Sequence, residues 1–182
     1  MDVDAEESFL AYVRERIAAL SRIAFLLTGD RHLAEDLVQE TLLRVVGRWA
    51  RIAAGGDPDA YVRRTLYHQH VSAWRRHRGR TVHLDAQPER PPDRAGPDEA
   101  GAVTDSVAVR VALATLAPRQ RAVIVLRYFE DLTEAQTADV LGCRVGTVKS
   151  QTRDALARLR AVAPGLLSET ADPEPSRAEA RR

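Results

Sequence analysis

Three groups of side chains in this sequence have types and spacings that could do chemistry. Near the C-terminus Thr147, Lys149, Ser150, Gln151 and Arg153 share the polar side of a helical repeat. Cations there would meet phosphates, and hydroxyls and amides would meet base edges in a groove. In the middle of the chain Arg64, Tyr67, His68, Val71, Arg75 and Arg78 recur at steps of 3, 1, 3, 4 and 3, with Arg63 in the same basic run. Arginines interleaved with rings suit single-stranded nucleic acid, because charges hold phosphates and rings stack on bases. The third group is Asp36, Gln39, Glu40 and Leu43, one acidic strip with an outward leucine. Such a strip is either a docking surface for a partner helix or an ordinary solvated face, and its pattern alone does not choose.

Other chemistries find no support. His68 and His70 are two residues apart. On a helix of about 3.6 residues per turn they diverge and cannot share a metal; helical ligand pairs are usually about four apart. No pair of acids lies near a His or Cys at catalytic spacing, and no glycine loop would cradle a phosphate, so neither a catalytic residue nor a cofactor is expected. Cys143 is the single cysteine. It excludes an internal disulfide and a Cys-rich zinc site, and its expected state is a small buried thiol.

The elements that must position these groups are helices. Thr133 with Gln136 forms a capping box that starts one; Gly142 suits the left-handed corner that ends it. A second helix runs from about Val145 to Arg160, with Val145, Val148, Ala155, Leu156 and Leu159 as its apolar face. The spacing Ala138-x3-Gly142-x3-Gly146-Thr147-Val148 is that of a helix-turn-helix, in which one helix braces and the next enters the major groove. Upstream, Leu10, Val13, Ile17, Leu20, Ala24 and Leu27 form a seam on a helix over Glu7–Leu27. Asp30 caps a helix over Arg31–Trp49, whose buried face is Ala34, Leu37, Val38, Thr41, Leu42, Val45 and Trp49. A loop over Arg51–Asp57 follows, then a helix from Asp59 to about Arg78 with Val62, Thr65, Leu66 and Ala73 inward. In the second half, Val109, Ala112, Leu113 and Leu116 mark one helix face; Pro118 opens the next, with Ala122, Val125, Leu126 and Phe129 inward.

The fold class is therefore all-α: two small helical domains joined by a flexible linker rich in proline and acid, the second domain a helix-turn-helix. The expected boundaries are 7–78, a linker at 79–105, 106–163, and a disordered tail at 164–182. From Asp85 the linker holds six acids against two arginines, with Pro88, Pro91, Pro92 and Pro97; such composition cannot build a core.

Net charge is only +1, yet the charge is segregated. Residues 1–40 hold nine acids and four arginines, residues 61–80 six arginines and no acid, and residues 141–160 five basic residues and one acid, Asp154. Two basic patches in a near-neutral chain fit local contact with a polyanion. No stretch approaches the roughly 18 apolar residues of a spanning helix, and the acidic start MDVDAEESF lacks the order of a secretory signal. The expected location is the cytoplasm, without direct membrane insertion.

Taken together, AEDLVQET at Ala34–Thr41, the basic helix Tyr61–Arg78 and the helix-turn-helix at Leu141–Arg160 resemble the extracytoplasmic-function (ECF) sigma factors of the sigma-70 family, over about residues 9–163. The resemblance implies an initiation factor, not an enzyme, that partners core RNA polymerase and promoter DNA and is held by an anti-sigma factor. It places Asp36, Gln39, Glu40 and Leu43 on core polymerase. It places Arg63, Arg64, Tyr67, His68, Arg75 and Arg78 on the −10 element, with the Arg51–Asp57 loop beside them. It places Arg144, Gly146, Thr147, Lys149, Ser150 and Arg153 on the −35 element. Three positions depart from the family's pattern: His68, Arg144 and Asp154. An aspartate on the DNA side cannot hold a phosphate, but it can accept from cytosine N4. A stand-alone helix-turn-helix regulator is the competing reading; it leaves the basic mid-chain group and the acidic strip without a role.

Overall fold

The structure is a computed structural model that describes residues 3–81 and 102–163. Every regular element among the described residues is helical. The first half holds α1 (Val3–Thr28), α2 (Arg31–Val46), α3 (Trp49–Ala54) and α4 (Pro58–Thr81). The second holds α5 (Ala102–Ala114), α6 (Pro118–Ile124), a π-helical stretch (Val125–Phe129), α7 (Glu134–Leu141) and α8 (Val145–Val162). Helix thus covers both ends of the expected 79–105 linker, whose centre and the expected 164–182 tail lie outside the described residues.

Local chemistry sets the corners. Gly29 takes φ 75°, and Asp30 caps α2 by accepting from the Leu33 amide at 2.9 Å. The helix expected to run unbroken to Trp49 stops at Val46, and Gly47–Arg48 interrupts it. It restarts because Trp49 is fixed from another direction: its ring is 4.8 Å from Tyr12 and 5.2 Å from Phe9, and Nε1 donates to Ser8 Oγ at 3.2 Å. Half of the expected Arg51–Asp57 loop is consequently the end of α3. Asp57 then caps α4, accepting from the Ala60 amide at 2.9 Å.

The α1 seam is rotated from expectation. Leu20, Ala24 and Leu27 are buried, but Leu10 and Ile17 are exposed. The N-terminal half instead turns Phe9, Tyr12 and Arg16 inward, because the Trp49 ring and Asp59 hold them there. Tyr12 Oη donates to Asp59 Oδ1 at 2.9 Å, and Arg16 pairs with the other oxygen. In α2 the expected face is buried at Ala34, Leu37, Val38, Thr41 and Val45.

The two halves share one apolar cluster. Val62, Leu66 and Tyr67 of α4 join Ala122, Val125 and Leu126 of the second half in it, with Val140 and Leu141 packed alongside. A smaller cluster joins α5, α6 and α8 through Leu113, Leu116, Ile124, Ala155 and Leu159. Phe129, expected inside, is 46% exposed. The π-helical stretch explains it: a wider turn advances less per residue, so Phe129 lags behind the face set by Ala122 and Val125.

Candidate nucleic-acid interface

The helix-turn-helix is built as its residues require. Thr133 Oγ1 accepts from the Gln136 amide at 3.2 Å, and Gln136 Oε1 accepts from the Thr133 amide at 2.8 Å. At the other end of α7, Gly142 takes φ 61°, a conformation that a side chain disfavours. Val148, Ala155 and Leu159 anchor α8 in the core. This leaves Arg144, Gly146, Thr147, Lys149 and Arg153 exposed and Ser150 half-buried, on the side away from the core. Val145, expected on the apolar face, is 39% exposed, since it opens the helix before the first buried turn. Lys149 Nζ lies 3.5 Å from Glu134, which ties α8 to the first turn of α7. Asp154 sits beside Arg153, with 3.1 Å between Nε and Oδ1. Cys143 is half-buried, and burial raises its thiol pKa.

On α2, Asp36, Gln39, Glu40 and Leu43 are all exposed along one strip, Leu43 at 73%. Leu33 is also open at 55%, an apolar residue that the sequence reading missed.

The α4 strip is not open in the way its spacing suggests. Arg64 and His68 are exposed, but both reach α7: Arg64 Nη2 donates to the Asp139 carbonyl at 2.7 Å, and His68 Nε2 is 3.1 Å from the Val140 carbonyl oxygen. Tyr67 and Val71, expected outward, are buried. The reason is that α6 and α7 of the second half lie over this face. Tyr67 Oη donates to Glu130 Oε1, and Arg63 Nε donates to Glu130 Oε2, each at 2.5 Å. Burial, and then the neighbouring Glu130 carboxylate, raises the Tyr67 pKa well above its ordinary value. Arg75 and Arg78 lie on the C-terminal part of α4. Thr65, expected inward, is only half-buried.

Sequence reasoning also missed Gln69 and His70, both buried polar residues. No apolar periodicity marks such positions. His70 bonds the Pro118 backbone and lies near Arg121, and burial lowers its pKa to about 4. His68 and His70 therefore point to different surroundings, and no group of three or more metal-ligating side chains occurs among the described residues.

The comparisons with known proteins agree with this geometry. Residues 11–80 match the family model for sigma-70 region 2, and residues 106–159 match that for sigma-70 region 4. The chain is 41% identical over 152 residues to the RNA polymerase sigma-E factor of Streptomyces coelicolor, covering 84% of each. It is 37% identical over 150 residues to the ECF RNA polymerase sigma factor SigL of Mycobacterium tuberculosis, covering 80% of this chain and 83% of that one. Among solved structures, the sigma factor RpoE of Bartonella quintana, crystallised with the anti-sigma factor NepR, matches with a TM-score of 0.69 at 25% identity, over 87% of this chain and 98% of that one. CnrH, solved with the cytosolic domain of CnrY, shares the fold at a TM-score of 0.57 and 21% identity, over 86% of this chain and 88% of that one. With both regions matched in order and relatives aligned along most of its length, this chain belongs to the extracytoplasmic-function sigma factors of the sigma-70 family.

Proposed function

We propose that this chain is an alternative sigma factor that binds core RNA polymerase, recognises −35 and −10 promoter elements and promotes promoter melting. The observation that carries the reading is the pairing of region 2 with region 4 in one chain. A stand-alone regulator needs only the helix-turn-helix. In the proposed assignment the α2 strip with Leu43 docks on polymerase, α4 with Arg63, Arg64, Tyr67, His68, Arg75 and Arg78 engages the opened −10 strand, and α8 with its preceding Arg144 reads the −35 groove. The proposed domain limits are 7–78 and 106–163, with 79–105 between them as a linker and 164–182 as a tail. As an initiation factor the chain supplies recognition and no catalytic group of its own. Its working compartment would be that of RNA polymerase, the cytoplasm; no described helix is long and apolar enough to cross a membrane.

An anti-sigma factor is a fitting partner, since the similar RpoE of Bartonella quintana was crystallised with the anti-sigma factor NepR. The decisive experiment is run-off transcription from genomic fragments by core polymerase reconstituted with this protein. Discrete transcripts that require the protein are expected. Failure to bind core polymerase, or transcripts that do not require the protein, would overturn the reading.

A further inference from the structure

The outward side of α8 carries one acid, Asp154, among the cations Lys149, Arg153, Arg158 and Arg160. Steps of three and four put Thr147, Ser150 and Asp154 on one strip of a helix with about 3.6 residues per turn. That strip turns away from Val148, Ala155 and Leu159, which are buried. The Asp154 side chain is 47% exposed and that of Arg153 78%. From Ser150 to Asp154 the helix advances about 6 Å, less than two base-pair steps of about 3.4 Å. A groove that receives Thr147 and Ser150 therefore also receives Asp154.

A carboxylate in that place repels phosphate and weakens binding to every sequence alike. An N–H on a base edge offsets this, and in the major groove cytosine N4 and adenine N6 supply one. Arg153 decides between them. Its Nε donates to Asp154 Oδ1 at 3.1 Å, and its Nη2 lies the same 3.1 Å from that oxygen. One carboxylate oxygen takes one edge of the guanidinium, and Oδ2 accepts no hydrogen bond among the described residues. The other edge of the planar guanidinium, Nη1 with the second N–H of Nη2, faces away from the carboxylate. The pair thus presents an acceptor beside two parallel donors. A C·G pair presents the complement: the cytosine N4–H beside the O6 and N7 acceptors of guanine. An A·T pair has its N6–H between N7 and O4, so its two acceptors are split and one guanidinium edge cannot take both.

We infer that Arg153 and Asp154 together read one C·G base pair of the upstream element, Asp154 Oδ2 accepting from cytosine N4 and Arg153 donating to the guanine opposite. Asp154 is then a specificity-determining residue, at a cost in attraction for all other sequences. This rests on the assignment of α8 to the −35 groove.

The test uses core RNA polymerase reconstituted with the full chain, which selects from a promoter library whose upstream duplex is random in sequence. The unsubstituted chain is expected to select an element with one C·G position, where the other pairs lose about tenfold in enrichment. Asp154→Ala should abolish the preference at that position alone and retain more of the non-selected duplex, since a repulsive charge is gone. Asp154→Asn should move the position towards A·T, because an amide pairs with adenine N6 and N7. Arg153→Ala should weaken the preference at the same position. Both side chains are exposed, so the fold should hold. Positional preference is also read within each variant, so a loss of folded protein cannot imitate it. An Asp154→Ala element unchanged at every position, or altered at a position that did not hold cytosine, overturns the inference. So does an Arg153→Ala effect confined to a different position. An unsubstituted chain that selects no upstream element overturns the α8 assignment itself, a failure distinct from the others.

Discussion

Arg121 of α6 donates from Nη1 to the carbonyl oxygen of Leu27, 2.8 Å away at the end of α1. Its Nη2 donates to the Ala114 carbonyl at 2.9 Å. One side chain thereby satisfies the C-terminal carbonyls of helices from both halves, groups that have no partner within their own helix. Arg121→Leu should destabilise the chain by about 1–3 kcal/mol, because it leaves the carbonyl of the buried Leu27 without its donor. Chemical denaturation followed by circular dichroism measures this. A loss below about 0.5 kcal/mol, as at an ordinary surface site, would show that water replaces the guanidinium without cost.

His70 makes stability depend on pH. Its pKa falls to about 4, first because it is buried and second because Arg121 is near, whereas an unfolded histidine titrates near 6.5. The folded state thus favours the neutral ring. The stabilising preference is fully present above about pH 6.5 and is lost as pH falls through about 4. The comparison that isolates the imidazole is with His70→Gln. That variant should show a shallower fall in denaturation midpoint between about pH 6.5 and 4. Parallel curves for both proteins would remove His70 as the source.

The α2 strip should matter for binding and little for folding. Asp36→Ala, Gln39→Ala and Glu40→Ala together remove exposed groups, each worth only about 0.5 kcal/mol of stability. Core-polymerase affinity, measured by competition with a labelled copy of the unsubstituted chain, should fall markedly while the melting temperature holds. Undiminished affinity would move the docking surface elsewhere.

Lys149→Ala should weaken binding to −35 duplex and flatten the dependence of log K on log salt by about one unit, if Lys149 meets a phosphate. Its pairing with Glu134 sharpens the expectation. Glu134→Gln frees the ammonium and should strengthen the same binding modestly. Unaltered affinity and slope in Lys149→Ala would take this residue out of the interface.

The helix-turn-helix was legible in the sequence because its signals are local. The Thr133–Gln136 box and the left-handed Gly142 lie within a few residues of the structure they specify. The burial of Ala34, Leu37, Val38 and Val45 followed from periodicity for the same reason. What escaped was non-local. The spacing of Tyr67 and Val71 places them opposite Val62, and only contact with residues some fifty positions later turns that side into an interior. Leu10 and Ile17 were misjudged likewise, since the inward side of α1 is chosen by Trp49 and Asp59. Phe129 failed because a π-turn leaves no mark in a count of helical steps.

The shared apolar cluster has a consequence during synthesis. A chain is made from its N-terminus, and region 2 can fold once α4 has left the ribosome. At about 5–20 residues per second, the roughly 55 residues from Val71 to Leu126 take about 3–11 s to appear. For that interval Tyr67 lacks Ala122, Val125 and Leu126, which later cover it. A nascent chain therefore presents its α4 surface before self-closure can compete for it, and any binder of that surface has first access on the ribosome.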